Sequence, residues 1–234
     1  LIKPIIEGMK ISVKSMNSSS SERELHRMDT DMSTKSVIIV FGIILLGLVL
    51  TFWDFVSAVP ISAGLMWTLV IVGVLVALLI GFFVAAACGY MAGLIGTSAS
   101  PISGIGILAT IISSLVVYFI ASENNLFATE AGVQFATAMA IFMTSVVIAI
   151  ASISNDNLQD LKTGQLVGAT PWRQQIALLL GSVAGAIAIA PVLNLLYQAY
   201  GFTGALPRAE MDPNAALSAP QATLMTTIAQ GIFS

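Results

Sequence analysis

The sequence predicts an all-α fold: a polytopic transmembrane helical bundle with about five full spans, one long helix interrupted near residues 93–104, and part of a further helix at the C-terminus. Three observations predict it. The 234 residues are 57% hydrophobic and only 9% charged, with mean hydropathy +0.94, whereas a soluble domain carries about a quarter charged residues. The apolar residues come in long runs, not in the alternating segments of about ten residues that build an outer-membrane barrel. With no water in the bilayer interior, backbone N–H and C=O groups must be satisfied inside the span, which a helix does unaided.

The elements follow in order. Residues 1–36 form a polar segment, "NSSSSERELHRMDTDMSTK" holding most of its charge, although Ile2, Ile5, Ile6, Met9 and Val13 before it keep a rough helical spacing, as the tail of an earlier helix would. The first full span is expected from about Val37 to Trp53, a second helix from Ala63 to Gly96, a third from Gly104 to Ile120, a fourth from Val133 to Ile153 and a fifth from Pro171 to Tyr200. The first long apolar run follows the polar segment, so it reads as a span and not as a signal peptide. Residues 37–200 are thus the transmembrane region, 201–220 a loop, and 221–234 the start of a further helix. Because the chain opens on Leu1 and stops at Ser234 inside an apolar run shorter than the roughly 20 residues of a span, it is expected to be a piece of a longer protein.

Lysine and arginine collect in short cytoplasmic loops. Lys3, Lys10, Lys14, Arg23, Arg27 and Lys35 precede the first span, which makes the 1–36 segment cytoplasmic; threading five crossings then puts Lys162 and Arg173 inside and Arg208 outside, so eight of the 9 basic residues agree. The 201–220 loop is extracytoplasmic on this threading, and the protein belongs in the cell (inner) membrane. Asn17-Ser18-Ser19 matches a glycosylation acceptor but falls on the cytoplasmic side.

The fifth helix has a capping residue, Thr170, before Pro171, whose missing N–H has no intrahelical partner at that position, and Trp172 suits the membrane interface. Pro191 removes a hydrogen bond and crowds the carbonyl of Ile187, so a kink is expected there. The second helix, from 63 to 96, would be about 50 Å long against a hydrocarbon core of about 30 Å. Along it Gly73, Ala77, Gly81, Ala85, Gly89, Gly93 and Thr97 recur every fourth residue, a surface on which another helix can approach closely. Shorter rows of the same kind are Ala136, Ala140 and Thr144, and Gly181 with Gly185.

After Gly93 the composition changes. "GTSASPISG" brings four hydroxyls and a proline that biases Ser100 away from helical geometry. Irregular backbone at membrane depth survives only where protein or a watery cavity surrounds it, and interrupted helices often form substrate sites in transporters. The candidate binding residues are therefore Tyr90, Gly93, Gly96, Thr97, Ser98, Ser100, Pro101, Ser103 and Gly104. Composition alone equally allows an ordinary inner loop.

"GLIGTSASPISG" (93–104), "NDNLQDLKTGQLVGATPWRQQ" (155–175) and "APQATLMTTIAQGIFS" (219–234), together with the R-x-D-x-D-x-S pattern from Arg27 to Ser33, resemble the oligopeptide transporter (OPT) family, especially its prokaryotic members. The resemblance covers nearly the whole chain. It implies a longer polytopic secondary transporter of small peptides, coupled to protons, with the related yellow-stripe-like branch carrying metal chelates of nicotianamine or siderophore type as the alternative. It also makes 155–175 a signature segment, in which Asp156, Asn157, Asp160 and Lys162 are candidates for gating or coupling. Within that segment Asp156 and Gln159 have capping-box spacing, and Gly164 is placed to end a short helix; a solvated loop is the plain alternative.

Other constellations carry less. Glu123 and Glu130 flank an outer loop and read first as exposed carboxylates, with proton coupling as the alternative; Met139 and Met143, a turn apart, read as core packing before copper ligands. Cys88 is the single cysteine and reads as a small hydrophobe, and His26 as solvated, so no metal site and no cofactor are expected. A formal net charge of -3 with no basic stripe gives no reason to expect nucleic acid, and the glycine-rich stretch lacks the Gly-Lys-Ser/Thr ending of a P-loop. The expected partners are a peptide or metal-chelate substrate, protons and the lipid bilayer, with a homo-oligomer allowed. An intramembrane serine hydrolase would need a base within reach of "GTSAS", and a passive channel a repeated filter motif; neither is visible.

Overall fold

The computed structural model describes residues 27–233, which fold into six α-helices: α1 (Thr34–Ser57), α2 (Ala63–Ile95), α3 (Ile102–Glu123), α4 (Glu130–Val167), α5 (Pro171–Tyr200) and α6 (Pro220–Phe233). Short 3-10 turns lie at Arg27–Asp29, Thr97–Ala99, Leu126–Ala128 and Pro213–Ala215. Helices α1 to α5 are long and apolar enough to cross a membrane, so this is a multi-pass helical membrane protein. Residues 1–26, with their apolar spacing, the Asn17 acceptor and His26, lie outside the described residues, as does Ser234.

Most boundaries have a visible chemical cause. Ser33 accepts from the Ser36 amide at 3.2 Å and Ser62 from the Leu65 amide at 3.3 Å, which starts α1 and α2. Helix α2 runs unbroken to Ile95 and stops where Gly96 takes φ 88, a conformation that favours glycine. Helix α5 occupies 171–200 as expected and continues through Pro191.

Helix α4 departs from the expectation. Its sequence predicts a fourth span ending at Ile153, followed by a short helix or a solvated loop, with capping-box spacing at Asp156 and a helix end at Gly164. Instead α4 is one helix of 38 residues that begins at the Thr129 cap and ends at Gly168, φ 73, whose amide bonds the Gly164 carbonyl. The polar residues of 155–167 are good helix formers once a preceding span supplies the nucleus, so no new cap is needed. Gly164 serves a different purpose: a side chain there would overlap the carboxamide of Gln174 on α5.

Helix α4 is the axis of the bundle. Ala136, Met139, Ala140, Met143, Thr144 and Val147 on it are at most 1% exposed. Lipid tails are as apolar as leucine, so helices associate by close packing and hydrogen bonds. The small residues of α2 supply that packing: a methyl on Gly73 would overlap the Phe52 ring, one on Gly81 would sit 2.6 Å from Ile150 Cδ1, and one on Gly89 would sit 3.0 Å from Ser154 Oγ. Ser154 Oγ, in turn, donates to the Ala85 carbonyl at 2.7 Å. Phe142 on α4 stacks on Phe55 at 4.5 Å and meets Phe52 edge-on at 4.9 Å. The Gly181 and Gly185 row on α5, by contrast, has nothing within 4 Å.

Helix α6 runs in the direction of α3. Its first turn borders a groove with Ile102, Ser103 and Ile148, and Phe233 at its end stacks on Phe127 at 5.5 Å. The preceding loop is closed at its base by Thr203 N–H donating to Leu217 O and Leu217 N–H to Gly201 O, so the end of α5 lies near the start of α6. Helix α5 begins against Gly164 and ends near the level of Ile148, about 24 Å apart along α4, yet is itself about 45 Å long. It therefore leans away from α4, and none of its described residues is buried.

Candidate functional site

The four segments singled out in the sequence do not scatter. Three of them, 27–33, 93–104 and 155–175, meet at one end of the bundle. Gly96 ends α2, and the chain turns through Thr97–Ala99 and Pro101 into α3. The turn leaves the Thr97 amide without an intrahelical acceptor, and Gln159 Oε1 on α4 accepts from it at 3.1 Å. The Ser100 hydroxyl donates to Oδ1 of Asn155, which is 2% exposed. The polar turn is thus pinned to the lower half of α4 by two side chains one helical turn apart.

Beside this latch lies a recess of about 300 Å³ lined by Met28, Asp31, Gly93, Leu158, Lys162 and Gln165, among others. It draws on all three segments. The Arg27–Ser33 strip is held there by Trp172 N–H, which donates to Thr30 O at 3.3 Å. Lys162 Nζ donates to Gln165 Oε1 at 3.2 Å and remains exposed, as does the Asp31 side chain. A small recess with one acidic and one basic rim residue, floored by glycine and leucine, can accept a polar solute of either end charge.

The candidate residues divide between places. Gly93 and Lys162 line the recess, while Gly96, Thr97 and Ser100 form the pinned turn and Ser98 and Pro101 are exposed on it. Ser103 and Gly104 sit on the first turn of α3, with Ser103 in the separate groove beside Pro220 and Gln221. Tyr90 is 45% exposed on α2. The charged quartet is split: Lys162 faces the recess, Asp160 lies in a groove with Gln174, Gly181 and Ser182 of α5 and uses its carbonyl to accept from Gln174 Nε2 at 3.1 Å, Asp156 is exposed, and Asn157 is half-buried. Asn155 and Gln159 were missed as contact residues. Their signal in the sequence was a pair of carboxamides at i and i+4, on one face of any helix that included them.

Ser100 is partnered by a carboxamide, which cannot take its proton as a catalytic base would. Met139 and Met143 are buried in the core at 0% and 1% exposure, and among the described residues no group of three His, Cys, Asp or Glu side chains could hold a metal ion.

Comparison with known proteins adds to this geometry. A family model described as OPT oligopeptide transporter protein matches residues 2–234. A Haemophilus influenzae protein, provisionally named an oligopeptide transporter, is 55% identical over all 234 residues. The chain spans 37% of that relative's length. No solved structure matches it.

Proposed function

Because this chain belongs to the OPT oligopeptide transporter family, we propose that the full-length protein is a secondary active transporter that carries small oligopeptides across the cell (inner) membrane, driven by protons. The observation that carries this reading is the convergence of Arg27–Ser33, Gly93–Pro101 and Asn155–Gln175 on one end of the bundle, where an unwound, hydroxyl-rich turn is latched to α4 beside a mixed-charge recess. With the basic residues favouring the cytoplasm, this end is the cytoplasmic vestibule. Gly93, Thr97 and Ser100 border the solute's exit, and Lys162 is the basic residue that lines the recess there. Threading the crossings puts the 201–220 loop on the extracytoplasmic side, although its end at Pro220 lies beside Ser103 on the first turn of α3.

The geometry supports transport through a moving latch better than catalysis or a static pore. Both hydrogen bonds that hold the turn are between neutral groups, each contributing about 1 kcal/mol, so they can break and reform within a transport cycle. The test is uptake by proteoliposomes of the full-length protein under an imposed pH gradient, with labelled di- to pentapeptides compared with iron and nickel chelates. Peptide accumulation that collapses with the gradient supports the reading. Accumulation of the chelates alone would assign the protein to metal-chelate transport, and equilibration without accumulation would make it a channel.

A further inference from the structure

A second polar surface lies at the other end of the bundle. Between α4 and α6 runs a groove of about 500 Å³ lined by Gln134, Thr137, Ser145, Thr226 and Gln230 over a floor of Ile141 and Phe142. From the first turn of α4, Gln134 is about 6 Å along the helix and Ser145 about 22 Å, so the groove reaches well into a hydrocarbon core of about 30 Å.

From 131 to 149 the exposed residues of α4 are Ala131, Gln134, Ala138, Ser145 and Ala149, spaced by one helical turn or two, and no large apolar side chain is exposed on α4 before Ile153. On other helices the large exposed side chains are those that lipid accepts, Leu79 at 63%, Leu108 at 61% and Phe119 at 67% among them, while the exposed Thr51 and Thr68 each donate to a carbonyl of their own helix. Polar groups facing lipid are costly, and they collect where water or protein covers them.

The hydrogen-bond inventory says what would fit. Ser145 Oγ, Thr226 Oγ1 and Thr137 Oγ1 donate to carbonyls of their own helices at 2.7 to 2.9 Å, which leaves their acceptor lone pairs unused. The Gln134 side chain makes only a long 3.4 Å contact with Glu130, and the Gln230 side chain has no hydrogen-bond partner among the described residues. Two carboxamides, each both donor and acceptor, in a groove that also offers hydroxyl acceptors and is lined by no charged residue, match the alternating N–H and C=O of an extended peptide main chain.

We propose that this α4/α6 groove is a water-filled subsite of the solute path, in which Gln134 and Gln230 bind the main-chain amides of the peptide. It rests on the transport reading above. It also separates tasks: amide recognition in the span, and solute charge at the mixed-charge recess.

The test uses full-length protein with its native cysteines replaced, carrying Ala138→Cys, Ser145→Cys, Thr226→Cys, Leu79→Cys or Phe119→Cys. Each is treated in proteoliposomes with a charged, membrane-impermeant thiol reagent on both sides, with and without saturating trialanine. The groove cysteines are expected to react and to be protected at least fivefold by trialanine, while Leu79→Cys and Phe119→Cys stay unreactive. In parallel, Gln230→Leu is expected to raise the KM for trialanine uptake about five- to tenfold, with Gln230→Asn restoring part of the loss. Groove cysteines as silent as the two lipid-facing controls would overturn the proposal and mark the face as covered by other helices. Labelling without protection, in protein that still takes up trialanine, would overturn the subsite and leave the transport reading standing. A parent protein that takes up no peptide refutes that reading and the subsite with it.

Discussion

Replacing Asn155 with Leu and Gln159 with Met removes both acceptors that latch the 96–101 turn while nearly keeping side-chain volume. Gln159 Oε1 takes the Thr97 amide at 3.1 Å in an exposed position, so its loss should cost about 1 kcal/mol. Asn155 is 2% exposed, and losing it strands the Ser100 hydroxyl, so about 1.5 kcal/mol is reasonable there. At 1.4 kcal/mol per factor of ten, the released turn should become about fivefold more populated in Gln159→Met, about twelvefold in Asn155→Leu and about sixtyfold in the double variant. Hydrogen exchange of the Thr97 amide in full-length protein in nanodiscs reads that population directly. Sixtyfold is the additive value, and any departure of the double variant from it measures the coupling between two anchors that grip one short turn. A double variant whose Thr97 amide exchanges within twofold of the parent would refute the latch, and with it the claim that α4 holds the turn.

Other outcomes follow from the packing. Gly81→Leu drives a side chain into Ile150 and should lose about 1–3 kcal/mol, seen as a lower melting midpoint in detergent, whereas Gly181→Leu, with nothing within 4 Å, should leave the midpoint unchanged. Ser113 and Ser114 are fully buried with no partner for either Oγ among the described residues, so Ser113→Ala should be neutral or raise the midpoint by the equivalent of up to about 1 kcal/mol. An extracytoplasmic 201–220 loop predicts that Asn214→Cys reacts from outside intact cells with an impermeant thiol reagent; modification only after permeabilisation would reverse that assignment.

The sequence was most legible where one physical cause dominated. Continuous apolar runs announced the spans, and the four-residue period along α2 announced a close helix contact, which α2 makes with α1 at Gly73 and with α4 at Gly81 and Gly89, while Gly93 has nothing within 4 Å. The start of α5 was readable because Pro171 acts locally at the first helical position, whereas Thr170, expected to cap the helix, makes no side-chain cap hydrogen bond. The extent of α4 was not, because a polar stretch that looks like a loop on composition can continue a helix already nucleated in the membrane. The site was half legible. Glycine, proline and hydroxyls marked the turn at 96–101, but the residues that grip it lie fifty-five and sixty-two positions away in chain order, and pairing at that distance leaves no local trace. Charge misdirected attention within 155–162: Asp156 and Asp160 stand out in the sequence, while the neutral neighbours Asn155 and Gln159 make the contacts.

The length of α4 has a mechanical consequence. At 38 residues it is a stiff rod of about 57 Å, with the Gln134 carboxamide near one tip and the grip on the 96–101 turn toward the other. Pivoting such a beam by about 5° around its midpoint swings each tip by about 2.5 Å in opposite senses. That is comparable to the reach of a single hydrogen bond, so a modest rock would slacken one extremity as it tightens the other.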